Sequence, residues 1–151
     1  MDNDDVIECL NDLIEISKDG EYGFATGAQH LRNPNTRQLF VTRAEACRHA
    51  AAQLQNLVRA LGGKAEDSGT AAGAVHRGWI SVKSKLVEYT DLQILEETER
   101  GEDKAVAEYR DALEEDLPAN VRTVVEEQYC GVQRNHDQIR ALRDQARAAE
   151  T

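Results

Sequence analysis

Apolar residues recur along this chain in steps of three and four. Val6, Leu10, Leu13, Ser17, Gly20, Phe24, Ala28 and Leu31 form a first such stripe, the period of an amphipathic helix, and it stops at Asn33-Pro34-Asn35. A second stripe runs Leu39, Arg43, Cys47, Ala50, Leu54, Leu57, Leu61 and closes at Gly62-Gly63, a glycine stop of the kind that ends helices. The few residues between the stripes predict an antiparallel hairpin. Residues 62 to 70 are polar, Gly-rich and aperiodic, and a shorter helical segment is expected from about Ala71 to Val87. A third long helix is predicted from near Asp91, with Ile94, Thr98, Gly101, Ala105, Tyr109 and Ala112 on one side, ending before Leu117-Pro118. The fourth presents Val121, Val125, Gln128, Val132, Asn135, Ile139 and Leu142.

The two hairpins are related by one constant offset. A shift of 81 (96 − 15) brings Glu15 onto Glu96, Gly20-Glu21 onto Gly101-Glu102, Glu45 onto Glu126, and Arg59-Ala60-Leu61 onto Arg140-Ala141-Leu142, without gaps. These matches are few and of common residue types, so they suggest an internal duplication. Two αα-hairpins joined by a long crossover have the connectivity of a ferritin-like bundle, whereas an up-down-up-down bundle has short loops throughout. The expected architecture is therefore an all-α, ferritin-like four-helix bundle occupying residues 1–151 as one domain, with the crossover at 62–90.

Composition agrees with a helical protein: two prolines, 5% aromatic and 30% charged residues among 151 exclude an all-β fold. At this length a domain hides roughly 70% of its unfolded surface and needs no metal or disulfide to hold together. The 18 Lys+Arg and 28 Asp+Glu leave a net charge of −10, which argues against nucleic acid and anionic membranes as partners, since both are bound through clustered cations. No apolar run reaches a membrane span, and Met-Asp-Asn-Asp-Asp lacks the basic head of a secretory signal, so a cytoplasmic location is expected. Cys9, Cys47 and Cys130 are too scattered for a disulfide or metal framework. Cys47 and Cys130 are expected to be packing residues, and the Gly-rich connection holds no phosphate-binding loop.

Several ordered motifs carry a family resemblance over about Asp5 to Asp144. They are Leu10-Asn11-Asp12-Leu13-Ile14-Glu15 with Lys18-Asp19-Gly20-Glu21, His76-Arg77-Gly78-Trp79, Glu99-Arg100-Gly101-Glu102-Asp103, Leu117-Pro118, and Asn135-His136-Asp137 through Leu142-Arg143-Asp144. Together they resemble a bacterial family of small four-helix-bundle proteins, ferritin-like in fold and described mainly as a domain of unknown function. The resemblance implies a fold and suggests a structural or stress-related role; the family has no settled activity to carry over.

Ferritin-like di-iron proteins take one Glu from each of two helices and a Glu-x-x-His pair from each of the other two. At about 100° per residue, Glu21 falls in the first stripe between Ser17 and Phe24, and Glu102 in the third between Thr98 and Ala105. Glu45 and His49 share a face that lies roughly opposite Cys47 and Leu54, and Glu126 is off-stripe too, so all three are expected in solvent. His136 sits near the edge of the fourth stripe, with Gln133 where a Glu-x-x-His pair needs its Glu. The full ligand set is absent. The favoured reading is a polar layer in which Arg43, Gln128, Asn135, His136 or tyrosine hydroxyls satisfy inward carboxylates and fix helix register. The resulting expectation is a self-associating, non-catalytic bundle. The alternative is a metal-binding protein, an oxidoreductase if an enzyme, with iron or manganese held by Glu21, Glu102, His136 and, at the stripe's edge, Glu99. A proton-transfer role for a Glu of raised pKa is a third option. Trp79 is expected to plug the crossover onto the bundle, with an anion-binding role for His76-Arg77 as its rival.

Overall fold

A computed structural model of the protein describes residues 1–67 and 88–150. The expected crossover helix near 71–87 and the His76-Arg77-Gly78-Trp79 motif lie outside those residues. The described elements are four helices: α1 (Asn3–His30), α2 (Pro34–Ala60), α3 (Asp91–Leu113) and α4 (Ala119–Glu150).

The starts of α1, α2 and α3 each have a local cause. The Asp2 side chain accepts from the Asp5 amide at 2.8 Å, and Asp4 and Asp5 place negative charge at the positive end of α1. Asn33 caps α2 by accepting from Asn35 N and Thr36 N at 2.9 and 3.2 Å, and Pro34 opens the helix where its missing N–H is harmless. Thr90 and Gln93 form a reciprocal capping box at α3. At the end of α2, Gly62 takes the left-handed conformation at φ 80° that a side chain would resist.

The helices pack as two hairpins, α1 on α2 and α3 on α4, with α1 also lying along α3 and α2 touching α4 only lightly. The Asp91 carboxylate accepts from Arg32 N and Asn33 N at 2.9 Å each, so the turn of the first hairpin is tied to the start of α3. Further along the same pair, Ser17, midway down α1, meets Tyr109, near the end of α3. α1 and α3 are thus antiparallel.

The buried apolar residues fall into two clusters. One contains Val6, Leu10, Leu13, Leu54, Val58, Ala112, Val121 and Val125. The other contains Phe24, Leu31, Phe40, Ile94, Leu95 and Ile139, with the Phe24 and Phe40 rings edge to face at 5.2 Å. Between the two lies a layer of polar side chains.

Three of the four stripes sit where the pattern places them, while the second is rotated. Its buried row is Thr36, Phe40, Cys47, Ala51, Leu54 and Val58, with Leu39 and Leu57 only half-buried. The spacing of three and four admits both rows, and the aromatic pair with Phe24 selects the one containing Phe40. On α1 the buried arc is wider than one stripe and takes in Gly20, Gly23 and Gly27, with the Cys47 side chain packed closely over Gly20. A methyl group on Gly20 would lie 2.8 Å from Cys47 Sγ. Gly20→Ala is therefore expected to destabilise the fold by about 1–3 kcal/mol through overpacking, and adding Cys47→Ala to recover most of it. A double-mutant cycle of denaturant melts measures this.

Candidate functional site

The polar layer is built from all four helices. Ser17 Oγ on α1 lies 3.3 Å from Tyr109 OH on α3, which donates to Gln128 Oε1 on α4 at 2.8 Å. Gln128 Nε2 in turn donates to Gln53 Oε1 at 2.9 Å and to the Ala50 carbonyl at 3.3 Å, both on α2. One chain of hydrogen bonds therefore crosses the whole bundle.

Beside it sits an ion pair joining the hairpins. Glu102, 2% exposed, places Oε1 3.9 Å from Arg43 Nε. The Arg43 guanidinium carbon also lies 6.0 Å from the centre of the Phe24 ring. This pair is loosely satisfied: Glu102 Oε2, Arg43 Nε and Asn135 Nδ2 are buried without a hydrogen-bond partner. Burial pushes the Glu102 carboxyl up to about 7, against opposing effects of the Arg43 guanidinium, the Asn135 side chain and His136. Burial likewise holds the Cys47 thiol up at about 12, with Glu102 and Glu21 adding to it and Arg43 opposing, so this cysteine is a packing residue and no nucleophile.

The Glu102 shift has a consequence for stability. An unfolded carboxyl near 4.5 releases its proton before the folded one near 7 does. The folded state thus holds the extra proton, and its advantage, complete below 4.5, is lost as pH rises to 7. Charged groups facing Glu102 include Arg43 from α2, His136 from α4 and Asp103 from its own helix. Glu102→Gln is expected to remove a fall of about 3 kcal/mol across that interval. Urea melts of both proteins at stepped pH read the difference.

The four candidate ligands are not brought together. Glu21 lies at the edge of the α1 seam with its side chain 32% exposed and 3.8 Å from Lys18 Nζ. The seam there is centred on Gly20, about 100° round the helix, so the expected inward carboxylate faces partly outward. Glu99 is bound by Arg143 of α4, and its Oε2 is buried without a partner. His136 is buried, its Nε2 2.5 Å from Asp103 Oδ1 and its Nδ1 3.7 Å from Asp137 Oδ1. Among the described residues no group of three or more His, Cys, Asp and Glu could hold a metal ion. Each candidate is committed to a different partner, so the residues do not fit a ferritin-type di-iron set.

Glu45 and His49 are exposed, Glu45 being bound by Arg48 at 2.7 Å, and Glu126 is exposed beside Arg122. Cys130 corrects an expectation: it is exposed, not packed. It lies two positions from both Gln128 and Val132, which turns it away from the bundle axis. The stripes also did not single out Asp19, which is fully buried. Its signal was the glycine row at 20, 23 and 27, which marks a second covered face of α1.

Two αα-hairpins sharing a buried polar layer define a ferritin-like four-helix bundle. Residues 5–115 match the family described as Domain of unknown function (DUF2383), and the chain belongs to that family. Solved structures agree on the fold. A dodecameric thioferritin, the bacterioferritin-related protein of Bacteroides fragilis, is 16% identical with a TM-score of 0.83, covering 99% of this chain and 91% of its own. Mycobacterium smegmatis Dps is 18% identical at a TM-score of 0.78, covering 92% and 86%. A conserved hypothetical protein, rv2844, of Mycobacterium tuberculosis is 14% identical at 0.76, covering 94% and 99%. No curated protein matches the sequence. No helix among the described residues is long and apolar enough to cross a membrane.

Proposed function

We propose that this protein is a non-catalytic, self-associating ferritin-like bundle with a structural or stress-related role, in which the polar layer sets how the two hairpins pack. The observation that supports this most directly is the hydrogen-bond chain Ser17–Tyr109–Gln128–Gln53, which visits every helix at one level, next to the Arg43–Glu102 pair. Such groups tolerate one packing register, because any slip strands buried donors and acceptors. Self-association draws on the dodecameric state of the thioferritin neighbour.

The competing reading, iron or manganese held by Glu21, Glu99, Glu102 and His136, has in its favour the unpartnered Oε2 atoms of Glu99 and Glu102. Elemental analysis of protein purified without chelator separates the two, performed on wild type, Glu21→Ala and Glu102→Ala. The expected result is sub-stoichiometric metal in all three, with the Glu102 variant altered in melting temperature. Stoichiometric iron or manganese lost in both variants would replace the structural reading with the metal-handling one. Size-exclusion chromatography with light scattering tests the assembly.

A further inference from the structure

Helices α2 and α4 pack only loosely against each other and leave a cleft of about 310 Å3 between them that reaches down to the polar layer. Its floor is Glu102, Ala105 and Tyr109 of α3, and its walls are largely apolar, with Cys47 and Ala50 on one side and Gly131 and Val132 on the other. At the rim stand two exposed side chains, His49 and Arg134. This volume lies at the lower end of small-molecule pockets, roughly 300–1,000 Å3, and the combination of apolar walls with a few convergent polar groups is what such pockets share.

The polar groups at the bottom are incompletely used. Arg43 Nε and Glu102 Oε2 are both buried without hydrogen-bond partners, although both residues line the cleft and Glu102 is 2% exposed. Buried polar atoms are rarely left this way, because each forfeits its hydration with no return. The charged residues along the cleft are Arg43, Arg134 and Glu102. Two guanidiniums against one carboxylate favour an anion and oppose an ammonium group.

We infer that the cleft between α2 and α4 binds a small organic carboxylate with an apolar body, whose carboxylate accepts a hydrogen bond from Arg43 Nε beside Glu102 and Tyr109 while the body lies against Cys47, Ala50 and Val132. The rim residue Arg134 adds attraction for the same charge. A planar carboxylate suits a guanidinium better than a compact anion does, since two oxygens can face the fork of donors. Binding in this cleft does not depend on the layer's structural role.

Benzoate is a suitable probe, titrated into the full chain at neutral pH and constant ionic strength by calorimetry and by NMR chemical shifts. Saturable one-to-one binding at millimolar or lower concentration is expected, with shifts concentrated at Ala50, Tyr109 and Val132. Benzamide and benzylamine, of the same shape but neutral and positive, are expected to bind at least about tenfold more weakly. Arg43→Gln is expected to weaken benzoate by about tenfold or more. Ala50→Leu, which fills the cleft from a half-exposed wall, should abolish binding while leaving the melting temperature close to wild type. The comparison of the three probes on wild type keeps the test decisive if Arg43→Gln fails to fold. No saturable benzoate binding, equal or tighter binding of benzylamine, or undiminished binding to Ala50→Leu would each overturn the inference.

Discussion

Replacing Arg43 with alanine is expected to destabilise the protein by about 3 kcal/mol, whereas replacing both members of the pair, Arg43→Met with Glu102→Leu, leaves stability near wild type. The guanidinium is the cation 3.9 Å from a carboxylate that is 2% exposed, and its removal leaves Glu102 buried and alone. Breaking a buried pair from one side costs roughly 3–5 kcal/mol, and the lower end applies because Glu102 can take up a proton instead of keeping its charge. The Arg43 stem and its face against Phe24 add a packing loss. At roughly 2–4 °C per kcal/mol for a chain of this size, the single variant should melt about 6–12 °C lower. The double variant removes both desolvation costs and fills the space with apolar groups. Calorimetric melts of wild type, both single variants and the double variant give the coupling directly. Additive effects, with the double variant as unstable as the sum, would show that Arg43 and Glu102 do not act as a pair.

The same pair shows how far the amino-acid pattern could be read. The positions of Arg43 and Glu102 on inward stripes followed from spacing alone, because a period of 3.6 places 43 in line with 47 and 102 in line with 98 and 105. What spacing could not supply was the partner. Arg43 was one of several groups able to meet an inward carboxylate, and the choice depends on how α2 and α3 face each other across the bundle. Glu21 marks a second limit. Its offset of 81 residues from Glu102 suggested equivalent surroundings, yet one is buried and the other sits at the seam's edge with Lys18. The glycines flanking Glu21 at 20 and 23 shift the buried arc of α1 toward their own side, and α3 has only Gly101 to do the same. Helix boundaries were the most legible feature, since Pro34, Gly62 and Leu117-Pro118 act through local backbone chemistry that needs no neighbour.

The rotation of α2 yields the prediction with the largest magnitude. By hydrophobic spacing Leu39 belongs to the core row, but the structure buries Phe40 completely and leaves Leu39 half-buried. The Phe40 ring meets Phe24 edge to face at 5.2 Å in a cluster with Leu31, Ile94 and Ile139. Phe40→Ala removes a full aromatic side chain from a site with no exposure, for which the lost transfer energy and the residual cavity together come to about 4 kcal/mol. Leu39→Ala, at a partly solvated position of the same helix, should lose only about 1 kcal/mol. The inequality between adjacent residues is the decisive quantity, because helix propensity favours alanine at both and cannot produce it. Urea denaturation of the two variants under identical conditions measures it. Were Leu39→Ala the more damaging, α2 would be turned by about one residue from the placement described, and the row of Leu39 and Arg43 would lie deeper in the core than Phe40.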